Sequence, residues 1–273
     1  MTKKELAFVA IVKTYYKKHG RHELAWRKTT DPYRILVSEV MLQQTQVERV
    51  VPKYQAFLKV FPTIQILAKA PLGEVLVIWQ GLGYNRRAKM LHLCAQQIVT
   101  THKDRFPKSE QELIALPGIG SYTARAILAF AYNQALPLIE TNVRSVYIHH
   151  FFKNTEDVSD TDLVRYIVRT LDMENPREWY YALMDYGSYL KKVHGNPNTK
   201  SANYSKQSAF QGSDRQIRGA IIRLLTTQHT CTRKKMLQEL SSFEDIRVDA
   251  QTQKLLVEGM IVYKAKKYSL PAR

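Results

Sequence analysis

The chain has 273 residues, 45% of them hydrophobic, and a formal net charge of +17. That length gives one or two domains with a sizeable core, and the composition excludes an intrinsically disordered chain. The charge is not a tail effect, because residues 1–190 hold 25 basic and 18 acidic side chains, and residues 214–273 hold 12 and 6. Such a surface suits a polyanion, most often nucleic acid; the alternative is a surface made basic for solubility. The two cysteines, Cys94 and Cys231, form no CxxC pair. This leaves no thiolate metal site or disulfide framework to be read, and fits a reducing compartment. No apolar run reaches membrane-spanning length and the N-terminus lacks a signal-type apolar core, so a cytoplasmic protein with no membrane partner is expected.

Helical periodicity dominates residues 1–190. "ELAFVAIVKTYYKKHG" places Leu6, Val9, Ile11, Val12 and Tyr15 on the apolar face of one helix. "RILVSEVMLQQTQVERVVPKYQAFLKVFP" reads as a longer helical stretch interrupted at Pro52. "GEVLVIWQGLG" and "NRRAKMLHLCAQQIVTTH" follow, divided by Gly81 and Gly83. "SEQELIAL" opens with the capping box Ser109 to Glu112. "LPGIGSYTARAILAFAY" then sets Gly118 and Gly120 in a tight turn that leads into a helix N-terminus. Free N–H groups and the helix dipole favour an anion there, so Leu116, Gly118, Gly120 and Ser121 are candidates for a backbone clamp on phosphate. An ordinary tight turn is the alternative. "LPLIETNVRSVY" places a carboxylate, Glu140, before Thr141 and Asn142 at the head of another helix.

The composition changes at Lys191. Residues 193–212 are polar and basic and read as a linker or loop after a first domain over 1–192. Residues 213–273 read as three helices and a small hairpin, a winged-helix-like domain that binds DNA or serves dimerisation. Strand alternation is otherwise nearly absent, so the class is mostly α.

Four stretches, "LPGIGSYTARAIL", "SEVMLQQTQV", "VIWQGLGYN" and "MDYG", resemble the helix-hairpin-helix DNA glycosylases of the endonuclease III superfamily, in their MutY-like adenine glycosylase branch. The resemblance covers about residues 20–190. It implies a two-lobed helix-hairpin-helix fold and a monomer, nucleoid-associated, acting on double-stranded DNA that contains a damaged or mispaired base. The implied reaction hydrolyses the N-glycosidic bond of a flipped-out base, adenine opposite 8-oxoguanine or guanine. Alternatives are the same chemistry on hypoxanthine, or on uracil or thymine opposite guanine, and a catalytically weakened DNA-binding protein.

The resemblance also implies residue roles. Glu39 protonates the departing purine. Its neighbours Ile35, Leu36, Val37, Val40, Met41 and Leu42 suit a raised pKa, with a capping or salt-bridged glutamate as the alternative. Glu140 stands where the family carries the aspartate of D-x-N-V. A helix N-terminus would keep it ionised to stabilise an oxocarbenium-like centre. Its extra methylene matters, because misplacement on the order of 1 Å can cost ~100-fold in rate. Tyr122 occupies the position of the Schiff-base lysine of bifunctional lyases, which implies a monofunctional enzyme. Asn142 organises the acid and the water. Trp26 and Arg27 surround the flipped base, with a core position as the alternative for Trp26, and Gln44 and Tyr84 intercalate, with plain packing as theirs. By charge and position, Arg86 and Arg87 beside that loop are candidates to meet phosphate, as is Arg144, with a solvated helix charge as its alternative. Two departures stand out: no cysteine follows "MDYGSYL", so no iron–sulfur cluster and no other cofactor are expected, and the C-terminus is too short for the usual MutT-like reader domain.

Overall fold

The computed structural model describes residues 1–206 and 209–272. In chain order the helices are α1 (Lys3–His19), α2 (Pro32–Leu42), α3 (Val47–Val60), α4 (Ile64–Lys69), α5 (Leu72–Ile78), α6 (Arg86–Thr101) and α7 (Glu110–Ile114). Then come α8 (Ser121–Tyr132), α9 (Thr141–Phe151), α10 (Asp160–Thr170), α11 (Pro176–His194), α12 (Asp214–Gln228), α13 (Arg233–Glu239) and α14 (Asp245–Val257). Three short strands, β1 (Thr230–Cys231), β2 (Val262–Lys264) and β3 (Lys267–Ser269), make one antiparallel sheet in the order β1-β3-β2. The residues group into two compact units. One holds 1–36, 108–115 and 119–206; the other holds 37–107, 116–118 and 209–272. The chain last passes from the first unit to the second within the segment read as a linker, and residues 209–272 group with 37–107 instead of standing alone. Positions 207 and 208 of the basic segment, and Arg273, lie outside the described residues.

In the first unit α11 packs on α9 and α1. Phe8 of α1 inserts between Tyr147 and Phe151 of α9 and meets Trp179 of α11 edge-on, with ring centroids 5.1–6.0 Å apart. The buried face of α1 is Glu5, Phe8 and Val12, whereas Leu6 and Ile11 are exposed. The apolar stripe read from the sequence is thus rotated. Glu5 takes an inward place because Thr2 bonds it in a capping box and Arg169 pairs with it at 3.0 Å. The helix α11 comes closest against the backbone of the first turn of α9 at Gly187, where there is no room for a side chain. A Cβ there would lie 2.3 Å from the Asn142 carbonyl oxygen.

Two turns from the α11 start lies Asp185, almost wholly buried. It accepts from both guanidinium nitrogens of Arg27 at 2.7 and 2.8 Å, and from the backbone N–H and Nε of Arg21 at 2.8 and 2.6 Å. Burial would raise this carboxyl, but Arg27 and Arg21 outweigh it and hold the pKa below the ordinary value.

The second unit packs α4 and α5 against α6. The break expected at Pro52 occurs instead at residues 43–46; Pro52 stays inside α3. Gln44 leaves the helix with φ of 56°, and the freed carbonyls of α2 find a partner far along the chain, as shown below. In the C-terminal part, α12 packs on α14, β1 lies between α12 and α13 in the chain, and β2 and β3 follow α14. The strand β1, unread in the sequence, pairs with β3 and turns the expected hairpin into a three-stranded sheet. The connecting turn carries φ of 49° at Ala265 and 61° at Lys266, both left-handed, as a tight two-residue hairpin requires. This part joins α5 through Gly73, whose N–H donates to the Pro271 carbonyl at 3.0 Å.

The Asp185 cluster predicts that Asp185→Asn leaves Arg27 as an uncompensated buried charge and costs about 3–5 kcal/mol in denaturant unfolding. Because the folded-state pKa is lowered, the wild-type contribution is present above the ordinary carboxylate pKa and is lost as pH falls through the folded value. The variant's unfolding midpoint should show correspondingly less acid dependence.

Candidate functional site

At the head of α9, Glu140 is the N-cap. Its Oε1 accepts from the backbone N–H of Asn142 at 2.8 Å and of Val143 at 2.9 Å, and its Oε2 accepts from the Asn142 side chain at 3.2 Å. The longer glutamate therefore still caps the helix. The expectation that the helix end keeps it ionised meets a stronger opposing force. Desolvation raises the pKa above the ordinary value, against those bonds and the nearby charge of Lys191, half-buried on α11. Lys191 is a functional candidate that sequence reasoning missed, read there only as the point where the composition changes.

Behind this turn sits the segment expected to be a basic loop. Residues Pro197–Lys200 form a 3-10 turn, and the buried Asn198 donates to the Thr141 carbonyl at 3.0 Å and to Ser145 Oγ at 2.7 Å. Ser201 forms a parallel bridge with Val158. Lys200 pairs with Glu156 at 2.8 Å. The first turn of α9 is thus held from one side by Gly187 and from another by Asn198.

Glu39 lies in the last turns of α2 and is buried, with 7% exposure. That helix ends under a single arginine. Arg87 of α6 donates through Nη1 to the carbonyls of Val40, Met41 and Gln43, at 2.7, 2.9 and 2.5 Å. Through Nη2 it donates to Thr45 Oγ1 and to the Leu82 and Gly83 carbonyls, at 3.0, 3.2 and 3.3 Å. One guanidinium therefore caps α2 and joins two loops, 43–46 and 81–84. Burial pushes its pKa down to about 10, so it remains charged at neutral pH. The expectation that Arg87 meets phosphate is corrected: its head group is engaged by protein carbonyls. The loop tips are Gln44 and Tyr84, two non-glycine residues at φ of 56° and 47°. Such backbones persist only where surroundings over-determine them.

In the turn between α7 and α8, Gly118 has φ of 76°, and a Cβ there would lie 2.5 Å from Met90 Cβ. Gly120 is different: its φ is −92°, so it needs no left-handed freedom. It caps α8 without a side chain, and a Cβ there would meet nothing within 4 Å, which leaves the approach to the helix end open. Leu116 is buried, Ser121 is exposed, and Tyr122 is half-buried in the first turn of α8. Ser109 accepts from the Glu112 N–H and donates to the Glu112 carboxylate at 2.6 Å.

Two further basic expectations are corrected. Arg27, with a side chain 5% exposed, is the counter-ion of Asp185 and stacks on Tyr181, so it does not present its charge to a base. Arg144 makes a two-pronged pair with Asp160 at 3.0 and 2.9 Å instead of waiting for phosphate. Trp26 is buried beside Arg27 in sequence; Arg86 is exposed at the start of α6. Arg21 and Asp185 were missed, and "MDYG" was the signal: its aspartate and glycine are the ion-pair centre and the helix-contact glycine.

The donor set does not fit an iron–sulfur cluster. Cys94 on α6 and Cys231 on β1 are both buried, burial pushes the Cys94 thiol up to about 12, and residues 191–206 contain no cysteine. Among the described residues no three His, Cys, Asp or Glu side chains gather as metal ligands, and no helix is long and apolar enough to cross a membrane.

Arg87→Lys keeps the charge but cannot span both loops. It should cost about 2–4 kcal/mol in denaturant unfolding through unsatisfied carbonyls, and proteolysis should then cut first within 43–46 or 81–84.

Comparison with known proteins agrees with this architecture. The model of the HhH-GPD superfamily base excision DNA repair proteins matches residues 37–244. The chain is 34% identical over 262 residues to an adenine DNA glycosylase of Mycolicibacterium smegmatis, covering 89% of each. It is 34% identical over 189 residues to an adenine DNA glycosylase of Buchnera aphidicola, covering 68% of this chain and 53% of that one. A solved thermostable thymine-DNA glycosylase superposes with a TM-score of 0.62 at 25% identity, covering 68% of this chain and 87% of that one. With its helical hairpin, buried Glu39 and capping Glu140, the chain is a DNA glycosylase and belongs to the HhH-GPD superfamily of base excision DNA repair proteins.

Proposed function

We propose that the chain is a monofunctional glycosylase that removes adenine mispaired with 8-oxoguanine or guanine from double-stranded DNA, working as a monomer in the cytoplasm. The observation that carries the reading is the kinship with an adenine DNA glycosylase along nearly the whole length of both chains. Two glutamates in contrasting settings supply the chemistry: Glu39, buried in α2, and Glu140, bonded to the helix end of α9. The target base leaves the stack first. Glu39 gives its proton to adenine N7. The C1′–N9 bond breaks with its electron pair passing to the base. Glu140, ionised, stabilises the positive charge growing on the sugar. Water then adds at C1′ and loses its proton to a carboxylate, which leaves an abasic site. Tyr122 cannot form an imine, so the strand stays intact. On this reading Gln44 and Tyr84 fill the vacated stack, the Gly118–Gly120 turn holds phosphate, and Asn142 positions Glu140. No cluster or other cofactor takes part; Asn198 supplies the fastening of the segment after α11.

The likeness to a thymine-DNA glycosylase supports thymine opposite guanine as the second reading. A single-turnover panel separates them: duplexes with adenine opposite 8-oxoguanine, adenine opposite guanine, thymine or uracil opposite guanine, and hypoxanthine opposite thymine, each followed by alkali. Breaks after alkali only, fastest with adenine opposite 8-oxoguanine and lost in Glu39→Gln and Glu140→Gln, are expected. Fastest cleavage of thymine opposite guanine would overturn the adenine reading. Cleavage in none of them, with binding retained, would overturn the catalytic one.

The pH profile adds a second check. The rate should fall as pH drops through the Glu140 pKa, and desolvation puts that acid limb above the ordinary carboxylate value. Lys191 pulls the pKa down, so Lys191→Met should move the limb to higher pH. A limb left in place would remove Lys191 from the site.

A further inference from the structure

Tyr84 is held by more than its own loop. Its ring lies beside two guanidiniums, Arg87 at 5.4 Å and Arg215 at 5.3 Å from the centroid. Arg215 also donates through Nη1 to the Tyr84 hydroxyl. The two arginines differ in what they can do. Arg87 is occupied by the carbonyls of two loops and fixes the backbone beneath Tyr84. Arg215 reaches the far end of the side chain, the hydroxyl, and so bears on where the ring points. It comes from α12, 131 residues further along the chain.

The segment that carries Arg215 is tied to the same framework. Lys89 of α6 donates to the Glu258 carbonyl, Arg218 of α12 pairs with the Glu258 carboxylate at 2.6 Å, and Gly73 of α5 bonds Pro271. Movement of the C-terminal helices would therefore be felt at Tyr84. The loop itself is poised for such control. Gly81, Gly83 and Tyr84 are left-handed at φ of 91°, 72° and 47°, and a Cβ on Gly83 would meet nothing within 4 Å. The backbone is thus open to an approaching strand, while the side chain next to it is clamped.

We infer that Arg215 is a positioning residue that preorganises the Tyr84 ring for entry into the base stack, so that the C-terminal helices take part in discriminating the base opposite the target. This rests on the wedge role given to Tyr84 above. A preformed ring spares the ordering cost when DNA binds, and its fixed direction favours one opposite base over another.

The test is single-turnover cleavage by the full chain, comparing adenine opposite 8-oxoguanine with adenine opposite guanine, for wild type, Arg215→Ala, Arg215→Lys, Tyr84→Ala and the double variant Arg215→Ala with Tyr84→Ala. Thermal melts confirm folding, and Arg215→Lys keeps a cation should Arg215→Ala not fold. The rate ratio between the duplexes should fall about tenfold in Arg215→Ala. Tyr84→Ala should lose as much, the double variant no more, and Arg215→Lys should recover most of the ratio. A wild-type ratio in Arg215→Ala beside a reduced one in Tyr84→Ala, or losses that multiply in the double variant, would overturn the inference and leave the wedge standing. A wild-type ratio in Tyr84→Ala would overturn the wedge role, and the inference with it.

Discussion

The second unit depends on one half-buried cation. Arg87 satisfies the carbonyls that α2 leaves unbonded at its end and, with the same guanidinium, the carbonyls of the loop before α6. Burying that charge is costly, and dense hydrogen bonding offsets the cost. Two consequences reach the site. The helix that carries Glu39 ends at a defined place, and two strained tips, Gln44 and Tyr84, are held without any repeating secondary structure. Lysine, with one rotating ammonium, could not make this junction.

The first unit solves a related problem by steric means. The first turn of α9, which Glu140 caps, is held from two sides. Gly187 lets α11 approach that turn within contact of the Asn142 backbone, and Asn198 fastens it from the segment after α11. That segment is polar and cysteine-free, and Asn198 holds it to α9 by hydrogen bonds. Desolvation outweighs the bonds to Glu140 at this turn, so a helix N-terminus, normally an acidifying place, coexists with a raised pKa.

The basic composition proves a coarse guide. The excess predicted a polyanion partner, and the chain is a DNA glycosylase. Yet several arginines that invite a phosphate reading are spent inside the protein: Arg27 on Asp185, Arg144 on Asp160, Arg87 on carbonyls and Arg215 on Tyr84. The exposed wing lysines Lys264, Lys266 and Lys267 remain as surface charge. Net charge counts residues and cannot tell an ion pair from a free cation, because pairing is decided by neighbours distant in sequence.

Local chemistry was legible from the start. Helical periodicity gave the class, capping residues marked helix starts at Ser109 and Glu140, and the spaced glycines marked the hairpin. Glu39 stood out as a carboxylate in an apolar run, and "MDYG" as a motif without an evident reason. The periodicity, the caps and the spaced glycines act within about one helical turn, so the sequence carries them whole, whereas the reason for "MDYG" lies in Arg21, Arg27 and Asn142, far along the chain. The tertiary structure decided the rest. It rotated the α1 face so that Glu5 lies inside and Leu6 outside, and it moved the helix break from Pro52 to Gln44. It paired β1 with β3, turned a linker into a docked segment, and reversed the balance of forces on Glu140. All of these depend on burial or on a partner dozens of residues away. A one-dimensional pattern does not contain that distance; only the packed chain brings Arg87 to the end of α2 and Asn198 to the head of α9.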